Sequence, residues 1–264
     1  MQGMIYDDQR SEKVILDAIK LRILQGDPIV HNVKNAVFPK RFRGLPVIQD
    51  KDCPENCRQC LEICPNQALS LNPLTLDLGK CSLCGQCAEI CPQSIIDFSN
   101  DYHLAVNKRE NLFISKSIKK IAPEKASQLI KKYFGQSLKL RQVSAGGCNG
   151  CELELNALSN VNFDMGRYGV EFTASPRHAD GIVITGPITR NMAKALEIAY
   201  NALPSPKIII LMGVCAISGG VFQDSKEIQR QFFETHKIDL YMPGCPTHPL
   251  TFINGLLDFF EKKE

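Results

Sequence analysis

Eight of the twelve cysteines of this 264-residue chain lie between residues 53 and 91. They form two runs that each end in a Cys-Pro pair: Cys53-x3-Cys57-x2-Cys60-x3-Cys64-Pro65 and Cys81-x2-Cys84-x2-Cys87-x3-Cys91-Pro92. In two-cluster proteins with such runs, three close cysteines hold one cubane and the cysteine before proline ligates the other. The spacing therefore predicts two 4Fe-4S clusters. Cluster 1 takes Cys53, Cys57, Cys60 and Cys91, and cluster 2 takes Cys81, Cys84, Cys87 and Cys64.

Two other uses of these cysteines fit the spacing less well. Structural zinc is typically held by two separated Cys-x2-Cys pairs, whereas each run here has a further cysteine ahead of its proline. A disulfide framework requires an oxidising compartment, to which nothing in the chain points. Cys53 is the least secure ligand, because the interval to Cys57 is one residue longer than the usual Cys-x2-Cys.

Around this run the chain divides into four predicted parts. We expect an N-terminal helix and extended arm over residues 1–47 and a two-cluster, ferredoxin-type α+β domain over 48–106. A basic linker with one short helix, beginning at Pro123, is predicted over 107–137, and an α/β domain over 138–264. In the cluster domain, six apolar side chains are expected to wall the clusters from water: Leu69, Leu71, Leu76, Ile95, Ile96 and Phe98. The N-terminal helix either packs on its own protein or docks on a partner, and the sequence favours neither.

Strand-like and helix-like segments alternate after residue 138, which is typical of a flavodoxin-like α/β domain with a parallel sheet. Apolar runs such as Ile182-Val183-Ile184 suit strands that are covered on both faces. The predicted strands are 138–143, 181–184, 207–212 and 238–242. The predicted helices are 151–159, 192–202, 226–235 and 251–262.

The last four cysteines each follow the end of a predicted strand and stand near a glycine. They are Cys148 and Cys151 in Gly147-Cys-Asn-Gly-Cys151, Cys215 in Gly213-Val-Cys215, and Cys245 in Gly244-Cys-Pro246. In open α/β sheets, sites form beyond the carboxyl ends of the strands. Glycine lets the backbone approach a bulky inorganic group. We therefore expect these four thiols to hold a third cluster, cluster 3, with the loop 185–189 as one wall. The alternative is four unrelated buried thiols.

Composition excludes several other classes. A net charge of +3 is too small to indicate a nucleic-acid partner. The N-terminus lacks a basic region followed by an apolar run, so we expect no export signal. The apolar run near Ile208–Val214 is too short to span a bilayer. These features favour a reduced, cytoplasmic chain that uses its cysteines as metal ligands.

Three stretches of the C-terminal half carry a family resemblance. Gly147-Cys-Asn-Gly-Cys-Glu-Leu-Glu154, Ser175-Pro-Arg-His-Ala-Asp-Gly-Ile-Val-Ile-Thr-Gly186 and Gly244-Cys-Pro246 resemble the small subunit of energy-converting NiFe hydrogenases of the formate hydrogenlyase type. That family is related to the complex I subunit that carries the last cluster before quinone. The arm Arg41-Phe-Arg-Gly-Leu-Pro46 and the cysteines after it resemble the two-cluster ferredoxin subunit of the same complexes. The chain thus looks like a fusion of two subunits.

The resemblance implies three 4Fe-4S clusters in a row and an electron-transfer role alongside a NiFe-type large subunit, which would hold the active site. It implies no catalytic residue in this chain. It also implies other electron-transfer subunits as partners, attachment to the inner face of the cell membrane only through those partners, and no nucleic acid. Four side chains would lie around cluster 3: Glu154, Arg177, His178 and His248. Plainer roles also suit three of them: a helix N-terminus for Glu154 and a surface salt bridge for Arg177 and His178.

Two further functions stay open at this point. One is a complex I-like subunit that reduces quinone, or a nickel-free relative. Complex I subunits carry adjacent cysteines at the first ligand position, whereas this chain has Cys148-x2-Cys151, as hydrogenase small subunits do. The other is a non-catalytic protein: a free ferredoxin-like carrier or a zinc-stabilised interaction module.

Overall fold

The computed structural model describes residues 8–26, 29–118 and 120–262. The part of the N-terminal prediction that covers residues 1–7 lies outside these ranges. The N-terminal half contains one long helix followed by short helices and strands. These are α1 (Asp8–Gln25), β1 (Pro46–Ile48), α2 (Gln59–Ile63), β2 (Leu69–Ser70), β3 (Thr75–Asp77), α3 (Gln86–Ile90), β4 (Ile96–Phe98), β5 (Phe113–Ile114) and α4 (Gln128–Phe134).

The α1 helix does not bury its apolar residues on the described part of the chain. Seven of its aliphatic side chains are more than half exposed: Val14, Ile15, Leu16, Ile19, Leu21, Ile23 and Leu24. The first of the two alternatives for this helix, packing on its own protein, is therefore wrong for the described residues. No helix in the described part is both long and apolar enough to cross a bilayer.

The two cysteine runs fold into a small α+β domain with a repeated local structure. Helices α2 and α3 end just before Cys64 and Cys91, whose backbones are extended. The residue before proline is disfavoured in the helical region, so each Cys-Pro pair ends its helix. Strand β1 pairs with β4, and β2, β3 and β5 form an antiparallel sheet. The predicted apolar wall is formed: four of its members are buried, and Leu71 and Phe98 are partly buried in the same core.

The predicted linker differs from the structure at two points. Phe113–Ile114 forms β5, which pairs with β3 and so belongs to the sheet of the cluster domain. Helix α4 begins at Gln128 rather than at Pro123, because Ser127 caps it by accepting a hydrogen bond from the Ile130 N–H at 3.3 Å.

The C-terminal half is the expected α/β domain. Its elements are β6 (Leu138–Ser144), α5 (Gly150–Ala157), β7 (Val170–Phe172), β8 (Gly181–Thr185), α6 (Arg190–Asn201), β9 (Ile208–Met212), α7 (Val214–Ser218), α8 (Phe232–Thr235), β10 (Leu240–Met242) and α9 (Pro249–Phe260). The strands form one parallel sheet in the order β7-β6-β8-β9-β10, which is the flavodoxin-like order. The predicted fold class is confirmed.

The errors in this half are local. The short strand β7 and the helix α7 were not predicted. The predicted helix 226–235 is wrong over most of its length, because only Phe232–Thr235 is helical. Residues before it are instead held to the neighbouring loop, since Thr189 and Ile228 form an isolated β-bridge.

The two domains are joined along a hydrogen-bonded seam. Val106 and Tyr241 form an antiparallel bridge, with N–H to O distances of 3.0 and 2.7 Å. Thr251 in α9 donates to the carbonyl of Tyr102 at 2.8 Å. A Cβ on Gly255 would lie 2.5 Å from the Cβ of Ala105, so α9 approaches the cluster domain closely. This seam fixes the position of the two cysteine runs relative to the sheet.

Candidate iron–sulfur centres

The four strand-end cysteines line one cavity of about 160 Å³. Cys148 and Cys151 follow β6, Cys215 follows β9, and Cys245 follows β10, so the thiols come from three loops at the carboxyl edge of the sheet. This edge lies at the switch point of the fold, where the chain reverses its direction of strand addition between β6 and β8. The sequence prediction that these thiols converge agrees with their arrangement.

Glycines make the space for this cavity. A Cβ on Gly213, whose φ is +87°, would lie 2.5 Å from the Sγ of Cys151. The loops after β6 and β8 touch at Gly147 and Gly186, where a Cβ on Gly186 would lie 2.5 Å from the Gly147 nitrogen. Gly186 lines the cavity, so the predicted wall at residues 185–189 is present. The residues fit a bulky group that binds thiolates and needs room around the sulfurs.

The pKa values of the cavity thiols indicate that these thiols must lose protons before they can bind a metal cluster. Burial, with smaller contributions from the nearby Glu152, Cys215 and Cys245, raises the pKa of Cys151 to about 12, although the backbone N–H of Thr247 opposes the shift. Burial raises the pKa of Cys215 to about 11. Metal ligands must be deprotonated, so insertion of iron displaces protons from these thiols.

The arrangement does not suit a single metal ion. Within residues 8–26, 29–118 and 120–262, no three His, Cys, Asp or Glu side chains are placed to hold one ion. A zinc ion draws its sulfur ligands to about 2.3 Å, whereas a cubane spreads four thiolates around a larger body. The cavity of about 160 Å³ at the strand-end cysteines leaves room for such a body.

The eight cysteines of the cluster domain lie in two groups. Each group combines three cysteines of one run with the last cysteine of the other run. Besides burial, the pKa of Cys60 is raised by the neighbouring thiols of Cys53, Cys91 and Cys57. The pKa of Cys81 reaches about 12, mainly through burial, with Cys87, Cys64 and Cys84 adding to it. The thiols that the spacing assigned to each cluster therefore lie near one another, and their assignment as the ligand sets of clusters 1 and 2 stays a prediction. Cys53, despite its longer interval, lies with the first set.

Backbone N–H groups donate to the sulfurs of Cys64 and Cys91, the last cysteine of each run. The Ala68 N–H donates to Cys64 Sγ at 3.3 Å, and the Ile95 N–H donates to Cys91 Sγ at 3.3 Å. Although burial opposes it, four such backbone donors lower the pKa of Cys91. Hydrogen bonds to sulfur also tune the potential of an iron–sulfur centre. The same local structure therefore recurs in both runs.

A cleft connects the cluster 2 and cluster 3 groups. Its volume is about 590 Å³, and its lining includes Cys84 on one side and Cys245 on the other. Arg43 fixes the Cys84 loop, because its Nε donates to the carbonyl of Leu83 at 2.7 Å. Glu154 lines this cleft rather than the cavity of cluster 3, and burial raises its pKa.

His248 also lines the cleft but has a structural role. Its Nδ1 accepts a hydrogen bond from the Leu250 N–H at 3.1 Å and so caps α9. Its ring packs edge-on against Phe38 and Phe42. Burial lowers the pKa of His248 to about 4, so the ring is neutral.

Arg177 and His178 are not beside the cluster 3 cavity. They lie in a short 3-10 helix just before β8, and both are exposed. The strands are parallel, so this position is the amino edge of the sheet, opposite the cysteines. Their sequence assignment to the surroundings of cluster 3 is wrong in this structure.

Glu152 is the residue whose place the sequence analysis missed. It is only 9% exposed and lines the cavity. Its Oε1 accepts hydrogen bonds from the hydroxyls of Ser144 and Thr185, both at 2.6 Å. The one signal in the sequence was the position of Glu152 directly after Cys151, at the start of a helix. The burial of its carboxylate could not be predicted, because it depends on hydroxyls from two separate strands.

Comparison with known proteins agrees with this geometry. Residues 148–259 match the family described as NADH ubiquinone oxidoreductase, 20 Kd subunit, and residues 74–97 match a 4Fe-4S binding domain. A probable membrane-bound hydrogenase subunit of Pyrococcus furiosus is 34% identical over 139 residues, which are 53% of this chain and 83% of that protein. The chain belongs to the 20 Kd subunit family.

Two other proteins similar to this 20 Kd family member come from different enzymes. Formate hydrogenlyase subunit 7 of Escherichia coli is 40% identical over 135 residues, or 51% of this chain and 52% of that protein. An NADH-quinone oxidoreductase subunit of Citrifermentans bemidjiense is 39% identical over 112 residues, or 42% of this chain and 65% of that protein. The chain thus spans about half to two thirds of these two proteins. The chain is an oxidoreductase subunit, and iron–sulfur clusters are its cofactors.

Proposed function

We propose that this chain is the electron-transfer subunit of a membrane-associated NiFe hydrogenase or formate-hydrogenlyase-like complex, with three 4Fe-4S clusters and the active site on a partner chain. The observation that carries the proposal is the placement of twelve cysteines in three groups of four, with Cys84 and Cys245 lining one cleft. Bound cubanes supply one-electron chemistry. Such a series suits conduction rather than turnover of a substrate.

The chain's own residues hold and insulate these groups. Cys53, Cys57, Cys60 and Cys91 would hold cluster 1, and Cys81, Cys84, Cys87 and Cys64 cluster 2. Cys148, Cys151, Cys215 and Cys245 would hold cluster 3. Buried side chains such as Leu76 and Ile95 exclude water from the first two groups, which lowers the local dielectric.

The exposure of cluster 3 supports a partner subunit. Cys148 and Cys245 are exposed, whereas Cys151 and Cys215 are partly buried. We infer that a NiFe-type large subunit covers the exposed side of this cavity. The apolar surface of α1 supports a second contact, with another electron-transfer subunit, and contact with the inner face of the membrane arises only through such partners. A chain lacking residues 8–25 should retain its clusters and lose that partner in co-purification.

Anaerobic purification with metal analysis tests the cluster claim. Three cubanes require about twelve irons and about twelve acid-labile sulfides per chain. The Cys245→Ser variant should lose about four irons and one reducible signal by electron paramagnetic resonance. About four irons in the unaltered chain, or zinc in place of iron, would contradict the proposal.

A complex I-like, quinone-reducing role is the second candidate, favoured by the 39% identity to the NADH-quinone oxidoreductase subunit of Citrifermentans bemidjiense. The Cys148-x2-Cys151 spacing favours the hydrogenase-type role. Nickel in the co-purified large subunit, together with hydrogen-dependent viologen reduction, supports the first role. A nickel-free complex that reduces quinone supports the second.

A further inference from the structure

Arg230 reaches from a distant loop to the helix that carries Cys215. Its Nη2 donates to the carbonyls of Ala216 at 2.9 Å and Ile217 at 2.8 Å, and its Nη1 donates to the carbonyl of Cys215 at 3.4 Å. These carbonyls belong to α7, a helix of five residues. The guanidinium therefore binds the carboxyl end of the element on which one ligand of cluster 3 sits.

Helix α7 needs such support. A helix this short has too few internal hydrogen bonds to be stable alone, and its last carbonyls have no partner within the helix. Directly after this end of the helix, Gly219 and Gly220 turn the chain with positive φ, and a Cβ on Gly220 would lie 3.0 Å from Cys215 Sγ. The glycine turn encloses the thiol while Arg230 holds the carbonyls, so the position of Cys215 depends on both.

Arg230 is itself held in place. The Gln229 N–H donates to the carbonyl of Ile188 at 2.8 Å, and the Arg190 N–H donates to the carbonyl of Glu227 at 2.7 Å. The guanidinium also lies over the Phe233 ring, 4.7 Å from its centroid. The loop that carries Arg230 is thus fixed to the loop after β8, which forms one wall of the same cavity.

The charge of Arg230 has no carboxylate partner. Among the described residues, no Asp or Glu forms an ion pair with it. Burial, and to a lesser extent the like charge of Arg109, lower its pKa to about 10, so it stays protonated at neutral pH. A partly buried cation is weakly screened by salt and acts on charges that develop nearby. The negative charge that a cluster in the adjacent cavity would gain on reduction is a charge of this kind.

We propose that Arg230 is a positioning residue and the counter-charge of cluster 3: it fixes the Cys215 helix and favours the reduced state of the group held there. This inference rests on the proposed function, because it requires that Cys148, Cys151, Cys215 and Cys245 hold a redox centre. A nearby cation favours uptake of an electron, so its removal lowers the reduction potential.

Redox titration followed by electron paramagnetic resonance tests the charge. The signal of cluster 3 is first assigned as the one missing from Cys245→Ser. In Arg230→Gln, we expect the reduced-to-oxidised ratio of that signal at fixed potential to fall on the order of tenfold, a midpoint shift of about 59 mV for one electron. The signals of clusters 1 and 2 should stay where they are. Arg230→Lys keeps the charge and should stay within about threefold of the unaltered ratio.

Lys194→Gln is the matched control, because Lys194 is an exposed cation on α6, the helix that follows the loop after β8, and it does not contact the loop that carries Arg230. It should leave all three signals unchanged. The positioning role is tested by the rate at which a chelator removes iron: both Arg230 variants should lose about four irons faster than the control. Lysine has no planar fork for several carbonyls, so it does not restore this property.

Unchanged potentials in Arg230→Gln would overturn the charge role, and unchanged iron loss in both variants would overturn the positioning role. If Arg230→Gln does not retain cluster 3, positioning is supported and the charge role is judged on Arg230→Lys. A midpoint close to that of the unaltered chain then supports it, and a tenfold shift in ratio overturns it. Absence of a third signal from the unaltered chain would instead refute the proposed function.

Discussion

Replacement of Gly213 by alanine would test whether the cavity of cluster 3 depends on its missing side chain. Gly213 has φ +87° and ψ 154° and stands between β9 and α7. This backbone region is essentially restricted to glycine. A Cβ there would also lie 2.5 Å from Cys151 Sγ, far inside ordinary contact. The substitution therefore strains the backbone and displaces a ligand thiol at once.

The size of the effect follows from these two contributions. A non-glycine residue in this backbone region costs about 1–3 kcal/mol. Overpacking a filled site costs about 1–3 kcal/mol more. The sum of roughly 2–6 kcal/mol is a large part of the stability of a domain, typically about 5–15 kcal/mol. We expect the displaced thiol to abolish cluster 3, so that iron per chain falls from about twelve to about eight.

Gly150→Ala is the matched control, since Gly150 lines the same cavity. A Cβ there would lie 3.5 Å from Cys148 Sγ and 3.6 Å from Pro246 Cβ, which are ordinary contacts. Alanine also favours the start of α5 by about 1 kcal/mol over glycine. Iron and sulfide analysis, paramagnetic resonance and thermal unfolding should therefore separate the two variants. If Gly213→Ala retains about twelve irons and the melting temperature of the unaltered chain, the reasoning from space and backbone is refuted.

Three further predictions concern other parts of the chain. Cys53→Ser should remove about four irons and the signal of cluster 1, and retention of all irons would show that Cys53 is not a ligand. Asp77→Asn should lower the free energy of unfolding by roughly 2–4 kcal/mol, because it leaves the charge of Arg109, which lies 2.5 Å from the carboxylate, without its partner. Urea titration checks this, with Asp97→Asn, at an exposed position, as the neutral control. The third prediction concerns pH: burial raises the Cys151 pKa from 9.0 to about 12. Its contribution to the stability of the iron-free fold is present below pH 9 and lost as pH rises toward 12, whereas iron insertion becomes easier. Urea midpoints and proton release on reconstitution at about pH 8 and about pH 10 measure the two trends.

Much of the architecture could be predicted from local pattern. The Cys-Pro pairs ended α2 and α3 because proline restricts the residue before it, and this restriction is a property of neighbouring residues alone. The runs at Ile182 and Ile208 indicated a sheet covered on both faces, and both strands are fully buried. Convergence of the strand-end cysteines followed from the parallel direction of the strands, which places all carboxyl ends at one edge.

The predictions that were wrong concern segments whose position depends on residues distant in the chain. The periodicity of 226–235 suggested a helix, but the β-bridge between Thr189 and Ile228 holds part of that segment in an extended form. Arg177 was assigned to the surroundings of cluster 3 from resemblance, although the direction of β8 places it at the opposite edge. Propensity and motif are weak where hydrogen bonds to another element decide the conformation.

The sequence by itself determined the kinds of groups this protein binds, because thiol number, spacing and the proline positions specify iron–sulfur ligand runs within short stretches of chain. Only the tertiary structure decided how the sites are surrounded. It buried Glu152 under the hydroxyls of Ser144 and Thr185, and it brought Arg230 to the carbonyls of the Cys215 helix. These contacts join residues from different strands and loops, so they arise only when the sheet and the seam between the domains have formed.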